Sequence, residues 1–322
     1  MRTRKRLWSW GTVACLAAAA CGSSAVEGVP TSNAVDVAGT AETGRIVYVE
    51  EGGPEDRIIS IAPDGTDPVE VYSAEPGTFE EPALSPDGST VTFTTDLGGN
   101  VHIFAVNADG SGGLAQVTSG SGFEFGSSWS PDGTKLVVDA EESFGGPGGV
   151  AIVDVATGEM TPITHNPCGG FDAHPRFSPD GTQVLFVRGR CEKADSAAIF
   201  VLNVDDPHPE RITAWGLGAS EPDWSPDGSL IAFNTFDERI THAEIYVIAP
   251  DGTGLRRLTS EPGAAGVFRP SWSPEGSRLV FTLFTRAEGM NIFDLYTMSG
   301  DGTDVMQITD TSALSENQAD WA

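Results

Sequence analysis

Positive charge is scarce in this chain. Eighteen lysine and arginine residues face 46 acidic ones, for a formal net charge of -28. A surface of that sign repels nucleic acid and anionic headgroups, which excludes both as ligands of the folded part. Histidine (5) and cysteine (4) are also sparse, and neither a His-x-x-x-His nor a Cys-x-x-Cys pair occurs, so no zinc-type ligand set is expected. The Asp-Gly-Thr and Asp-Gly-Ser turns lack the alternating carboxylates of a calcium loop. There is no Gly-x-Ser-x-Gly elbow, and Gly120-Ser121-Gly122 is followed by no helical pattern. Helical periodicity is absent throughout. The one long apolar run, Leu7 to Ala20, is too short to span a bilayer comfortably. No catalytic set, metal or cofactor is therefore expected, and the chain reads as all-β.

What is abundant is punctuation. Glycine (39) and proline (21) recur at fixed offsets, which means repeated hairpins. The marker is an aromatic or leucine before Ser-Pro-Asp/Glu-Gly. It begins at Leu84, Trp129, Phe177, Trp224 and Trp272, and a truncated copy ends the chain at Trp321; the intervals are 45, 48, 47, 48 and 49 residues. Each marker closes a tight turn, with φ preset by proline and a left-handed glycine. A nearly continuous apolar run follows, such as Val184-Leu-Phe-Val187 or Leu279-Val-Phe-Thr282. Then come a second run, such as Ala198-Ile-Phe-Val201, and a short strand ending in threonine, as at Thr213 and Thr259. Four strands per unit, the second apolar on both faces, predict sheets stacked around an axis.

The unit starting at Gly44 has no marker strand, and the last marker strand, Gln318 to Trp321, has nothing after it. Joined, the two fragments make one sheet. The predicted fold is a six-bladed β-propeller of four-stranded antiparallel blades over 44–322, closed by the C-terminal strand completing the first blade. The W-S-P-D-G signature with its I-Y/F-V and L-T strands resembles the TolB-type propeller repeat. That resemblance implies a rigid platform for binding proteins or small ligands outside the cytoplasm. The helical N-terminal domain of TolB proteins has no counterpart here, so the Tol-complex role is not carried over.

Residues 1–20 read as a signal peptide: a basic stretch, Arg2 to Arg6, then the apolar run. Ala18-Ala-Ala-Cys21 resembles the lipobox of bacterial lipoproteins, with Ala18 where that family usually carries leucine. The resemblance implies a lipid on Cys21 and a protein held on the outer side of the cytoplasmic membrane; cleavage at an Ala-x-Ala site with release is the alternative. Residues 21–43 would be the anchor and a small, polar tether, reaching on the order of 25 Å as a coil. In that oxidising setting Cys168 and Cys191, in loops of one blade that emerge on the same face, are expected to form a disulfide.

Candidate ligand residues come from comparing blades. Three positions before each marker residue stand Glu81, Gly126, His174, Glu221, Arg269 and Gln318; one before stand Ala83, Ser128, Arg176, Asp223, Ser271 and Asp320. Framework positions repeat because packing demands it, whereas these differ. Glu81, His174, Arg176, Glu221, Asp223, Arg269 and Asp320 are thus the expected ligand-binding set, at the channel mouth. A protein partner or small envelope ligand, bound by a monomer without catalysis, is the leading reading. A hydrolase or lyase at the same mouth is the alternative.

Overall fold

The computed structural model describes residues 42–322 except 75–77, 98, 144–147, 167–169, 191–192, 236–242, 261–265, 288–289 and 312–313. Cys21, Cys168 and Cys191 lie outside the described residues. The described strands form six four-stranded antiparallel sheets. Five are built from consecutive strands. The innermost strands of blades two to six are Phe79–Leu84, Phe123–Trp129, Asp172–Phe177, Ala219–Trp224 and Gly266–Trp272.

Blade one is the exception. Its innermost strand, Ser315–Trp321, pairs antiparallel with Ile46–Glu51, which starts the propeller, and Ile46 lies opposite Trp321. Backbone bonds Arg45 N–H to Ala322 O (2.8 Å) and Ala322 N–H to Arg45 O (3.2 Å) extend the ladder past the register. At this seam Ile46, Tyr48, Ile59 and Ile61 of blade one pack with Val280 and Leu295 of blade six, and with Ala319 and Trp321. The two ends of the chain therefore close the ring. Residue 43 enters beside the marker turn of blade six, where its N–H meets Glu275 Oε1 at 2.6 Å.

The apolar second strands now have a cause. Val184 and Phe186 point back into a core with Val137 and Val150 of blade three. Leu185, one residue over, points forward to Ile231 and Phe233 of blade five. A strand covered on both faces cannot alternate with polar residues.

Two further repeats are hydrogen-bond devices. In the four Asp-bearing marker turns the aspartate accepts from the preceding serine and the following serine or threonine, as in Ser85 Oγ–Asp87 Oδ1 at 2.7 Å and Ser89 N–Asp87 Oδ1 at 3.0 Å. Gly88 closes that turn at φ +71°. In blades two to six the threonine that follows the outer strand caps a backbone N–H of the third strand. Thr118, Thr164, Thr213, Thr259 and Thr309 accept from Ile103, Val150, Ile199, Ile245 and Leu295 at 2.8–3.0 Å. These N–H groups would otherwise be buried without an acceptor, which explains why the motif ends in a hydroxyl.

Candidate ligand site at the channel waist

Every innermost strand slips register at mid-length, for instance between Glu80 and Ala83 against its neighbour, and between Phe268 and Ser271. At the slip one residue is left-handed: Glu81 (φ +52°), Gly126 (+46°), His174 (+52°), Glu221 (+51°), Arg269 (+54°) and Gln318 (+60°). These are the six residues three before the markers. For side chains other than glycine this conformation costs on the order of 1 kcal/mol or more, so surrounding structure must hold it. The freed N–H groups are held by the preceding blade. Gly126 N–H bonds Thr94 Oγ1 (3.0 Å), and Arg269 N–H bonds Glu221 Oε2 (3.2 Å) and Asn234 Oδ1 (3.4 Å). Glu81 N–H bonds Gln318 Oε1, and His174 N–H bonds the Asp139 carboxyl.

The bulge moves the site. The sequence suggested a mouth at the start of the innermost strand; the side chains instead converge halfway down. They line a cavity with about 450 Å³ of empty space, part of it open to solvent, together with Pro82, Pro222, Pro270, Ala319 and Arg176. Glu81 crosses it. From blade two its carboxylate reaches over Gly126 of blade three to His174 Nδ1 of blade four (3.5 Å) and Arg269 Nη1 of blade six (3.3 Å). Arg269 Nε also meets Glu221 Oε1 of blade five at 2.9 Å. Burial pushes the Glu81 carboxyl up, but the His174 hydrogen bond and the charges of Arg269, His174 and Arg176 outweigh it and hold it at about 2. Glu81 is thus held as the anion near neutrality, with no proton to give and little basicity.

Gly126 exists to let that carboxylate through. A Cβ there would lie 2.5 Å from Glu81 Oε2. Gly126→Ala should therefore push Glu81 off its partners and destabilise the fold by about 1–3 kcal/mol, measured by urea unfolding.

The residues one before each marker have a framework role that the comparison of blades did not reveal. Asp320 Oδ2 accepts Leu84 N–H (3.0 Å), Asp223 Oδ2 accepts Trp272 N–H (2.8 Å), and Ser128 and Ser271 accept Phe177 and Trp321 N–H (3.4 and 3.2 Å). Aspartate and serine look divergent, but both are short acceptors stapling one blade to the next. Asp223 and Asp320 are outside the lining of the cavity. Burial raises both carboxyls, Asp223 to about 6 against the opposing pull of Arg176 and Trp272 N–H. Arg176 breaks the pattern: an arginine cannot accept, and its guanidinium lines the cavity, 3.8 Å from Asp223 Oδ1. Glu81, His174, Arg176, Glu221 and Arg269 are thus brought together around one cavity. The proline walls were missed, although Glu81-Pro, Glu221-Pro and Arg269-Pro were visible as a repeat.

Among the described residues no group of three or more His, Cys, Asp or Glu side chains is placed to hold a metal. The space between Glu81 and Glu221 is taken by a fixed cation, Arg269. No described helix is long and apolar enough to cross a membrane.

Comparison with known proteins agrees with the fold. The chain is 30% identical over 109 residues to the uncharacterized peptidase YuxL of Bacillus subtilis, covering 32% of this chain and 16% of that protein. It is 34% identical over 86 residues to the Tol-Pal system protein TolB of Francisella tularensis, covering 27% and 19%. The matched segments thus span less than a fifth of either relative. The crystal structure of TolB from Acinetobacter baumannii superposes with a TM-score of 0.73 at 22% identity, over 88% of this chain and 67% of that one. The family described as the TolB beta propeller domain matches residues 144–321, more than half of the chain, and it is to this family that the protein belongs.

Proposed function

We propose that this propeller is a non-enzymatic binding platform of the bacterial cell envelope. It is exported behind residues 1–20, held through a lipid on Cys21, and recognises a protein segment or small ligand at the channel waist. The observation carrying this reading is the waist itself: a self-paired polar cluster, Glu81–Arg269–Glu221 with His174 and Arg176, on a framework that otherwise repeats. The charge of -28 leaves nucleic acid out as a partner. The likeness to a Tol-Pal system protein supports an envelope setting, and the propeller is taken to act as a monomer.

A hydrolase reading leans on the YuxL match, which covers 16% of that peptidase. The waist argues against it. Glu81 is locked as an anion, and Asp223, nearer neutrality at about 6, has an oxygen committed to Trp272 N–H.

The test is affinity capture from native envelopes with the wild type and a Glu221→Gln/Arg269→Gln variant shown to be folded by circular dichroism. The variant should lose the partners that the wild type retains. Recovery of the same set by both would remove the waist from the reading.

A further inference from the structure

We propose that the seam closing the ring is a proton-dependent clasp: the carboxyls of Glu316 and Asp294, set against each other between blades one and six, hold the C-terminal strand through a shared proton and release it when that proton leaves.

The argument starts from repeat equivalence. Glu316 stands five residues before Trp321, as Glu124 stands five before Trp129. Asp294 precedes Leu295, whose N–H is capped by Thr309, as His102 precedes Ile103, capped by Thr118. The same two places therefore meet at both interfaces. Between blades two and three they carry complementary groups: His102 Nδ1 lies 2.6 Å from Glu124 Oε2, and Thr118 Oγ1 donates to the same oxygen at 2.9 Å. At the seam the histidine is replaced by a second acid.

That exchange leaves two carboxyls facing each other in the interior. Glu316 is 0% exposed and Asp294 7%. Thr311 Oγ1 donates to Glu316 Oε1. Glu316 Oε2 and Asp294 Oδ1 are buried with no donor reaching them. The two side chains lie in hydrogen-bonding contact, and two acceptors can share such a contact only when one of them is protonated.

The surroundings favour keeping the proton. From the second strand of blade one, Glu50 stands opposite Glu316 in the ladder, with Tyr48 two residues away. Arg57, on the third strand, is engaged by Glu50 and Glu70. Blade six adds Asp310 beside Asp294. The flanking innermost strands bring Glu80, Glu81 and Arg269, the last two bound to each other. Burial is the main cause that raises Glu316, to about 7. The charges of Asp294 and Glu50 add to it, against the Thr311 hydroxyl.

The location turns this pair into a device. Blades two to six are continuous in sequence, so a loosened carboxyl there has a tethered strand around it. Blade one is assembled from two distant segments, 46–73 and 315–321, so its innermost strand is held there by pairing and packing with residues far away in sequence. Because Glu316 titrates higher in the closed ring than in a detached strand, its contribution is complete below about pH 4.5 and lost as pH rises through about 7.

The test is amide hydrogen exchange on the whole chain at pH 5.5 and 8.5, corrected for intrinsic rates, with wild type, Glu316→Gln and Asp294→Asn. In the wild type the opening equilibrium of 315–321 should rise roughly thirtyfold between the two pH values. It should stay level in Glu316→Gln and rise less than in the wild type in Asp294→Asn, where burial of Glu316 persists, while 184–187 is unchanged in all three proteins. An equal rise in either variant, or a wild-type strand whose exchange ignores pH, would overturn the clasp. Either variant alone suffices should the other fail to fold.

Discussion

Arg269→Ala should destabilise the propeller by about 3–5 kcal/mol, the range for removing one partner of a buried ion pair. Arg269 pairs with both Glu221 and Glu81, at 2.9 and 3.3 Å, and its side chain is 16% exposed. Without it two carboxylates face one cavity with His174 as their nearest neighbour. The Glu81 carboxyl, held at about 2 in the wild type, should then titrate at a distinctly higher pH, readable by carboxyl NMR. Wild-type stabilisation from Glu81 is present above about pH 4.5 and fades as pH falls toward 2, because its folded value is depressed. The variant should lose that acid-limb dependence. Adding Glu81→Gln and Glu221→Gln to Arg269→Ala should recover much of the loss, since the uncompensated charges go with them. A single variant within 1 kcal/mol of wild type in urea would show that the waist network contributes little.

Trp321→Ala should cost about 3–5 kcal/mol, as expected for removing a large buried aromatic. The ring is 4% exposed, packs on both halves of blade one and on blade six, and donates from Nε1 to Thr43 O at 3.1 Å. Its loss undoes the contact that brings residues 43–51 and 315–321 together. Exchange of 46–51 should therefore accelerate along with that of 315–321, before blades three and four respond. The matching change at Trp129, a marker residue only partly buried, should cost less and leave both segments protected. Equal effects of the two substitutions would mean that the seam has no special place in the ring's stability.

The ring was legible because its causes are local. Proline, aspartate and glycine fix each marker turn by their own chemistry, and the 45- to 49-residue period follows from repeating it. The closure at Trp321 was readable because an incomplete sheet must find its missing strand. The waist was legible as a set of positions but not as a place. Glutamate, histidine and arginine rarely turn left-handed, so nothing in Glu81, His174 or Arg269 announces the bulge that draws them to mid-channel. Asp223 and Asp320 were misleading for another reason. An aspartate in one blade and a serine in another differ in charge, yet both accept the same backbone hydrogen. The carboxyl pair at the seam could not be read at all, since its meaning depends on which residues of the opposite end lie alongside.

The entry point of the polypeptide fixes a direction. Residues 43 and 44 lie against the marker turn of blade six, near Glu275 and Pro274. The long second and third strands of blades four and six, up to 11 residues, run the other way. Residues 43 and 44 therefore join the propeller on the face of the marker turns. The tall hairpins stand outward, toward whatever approaches from the far side.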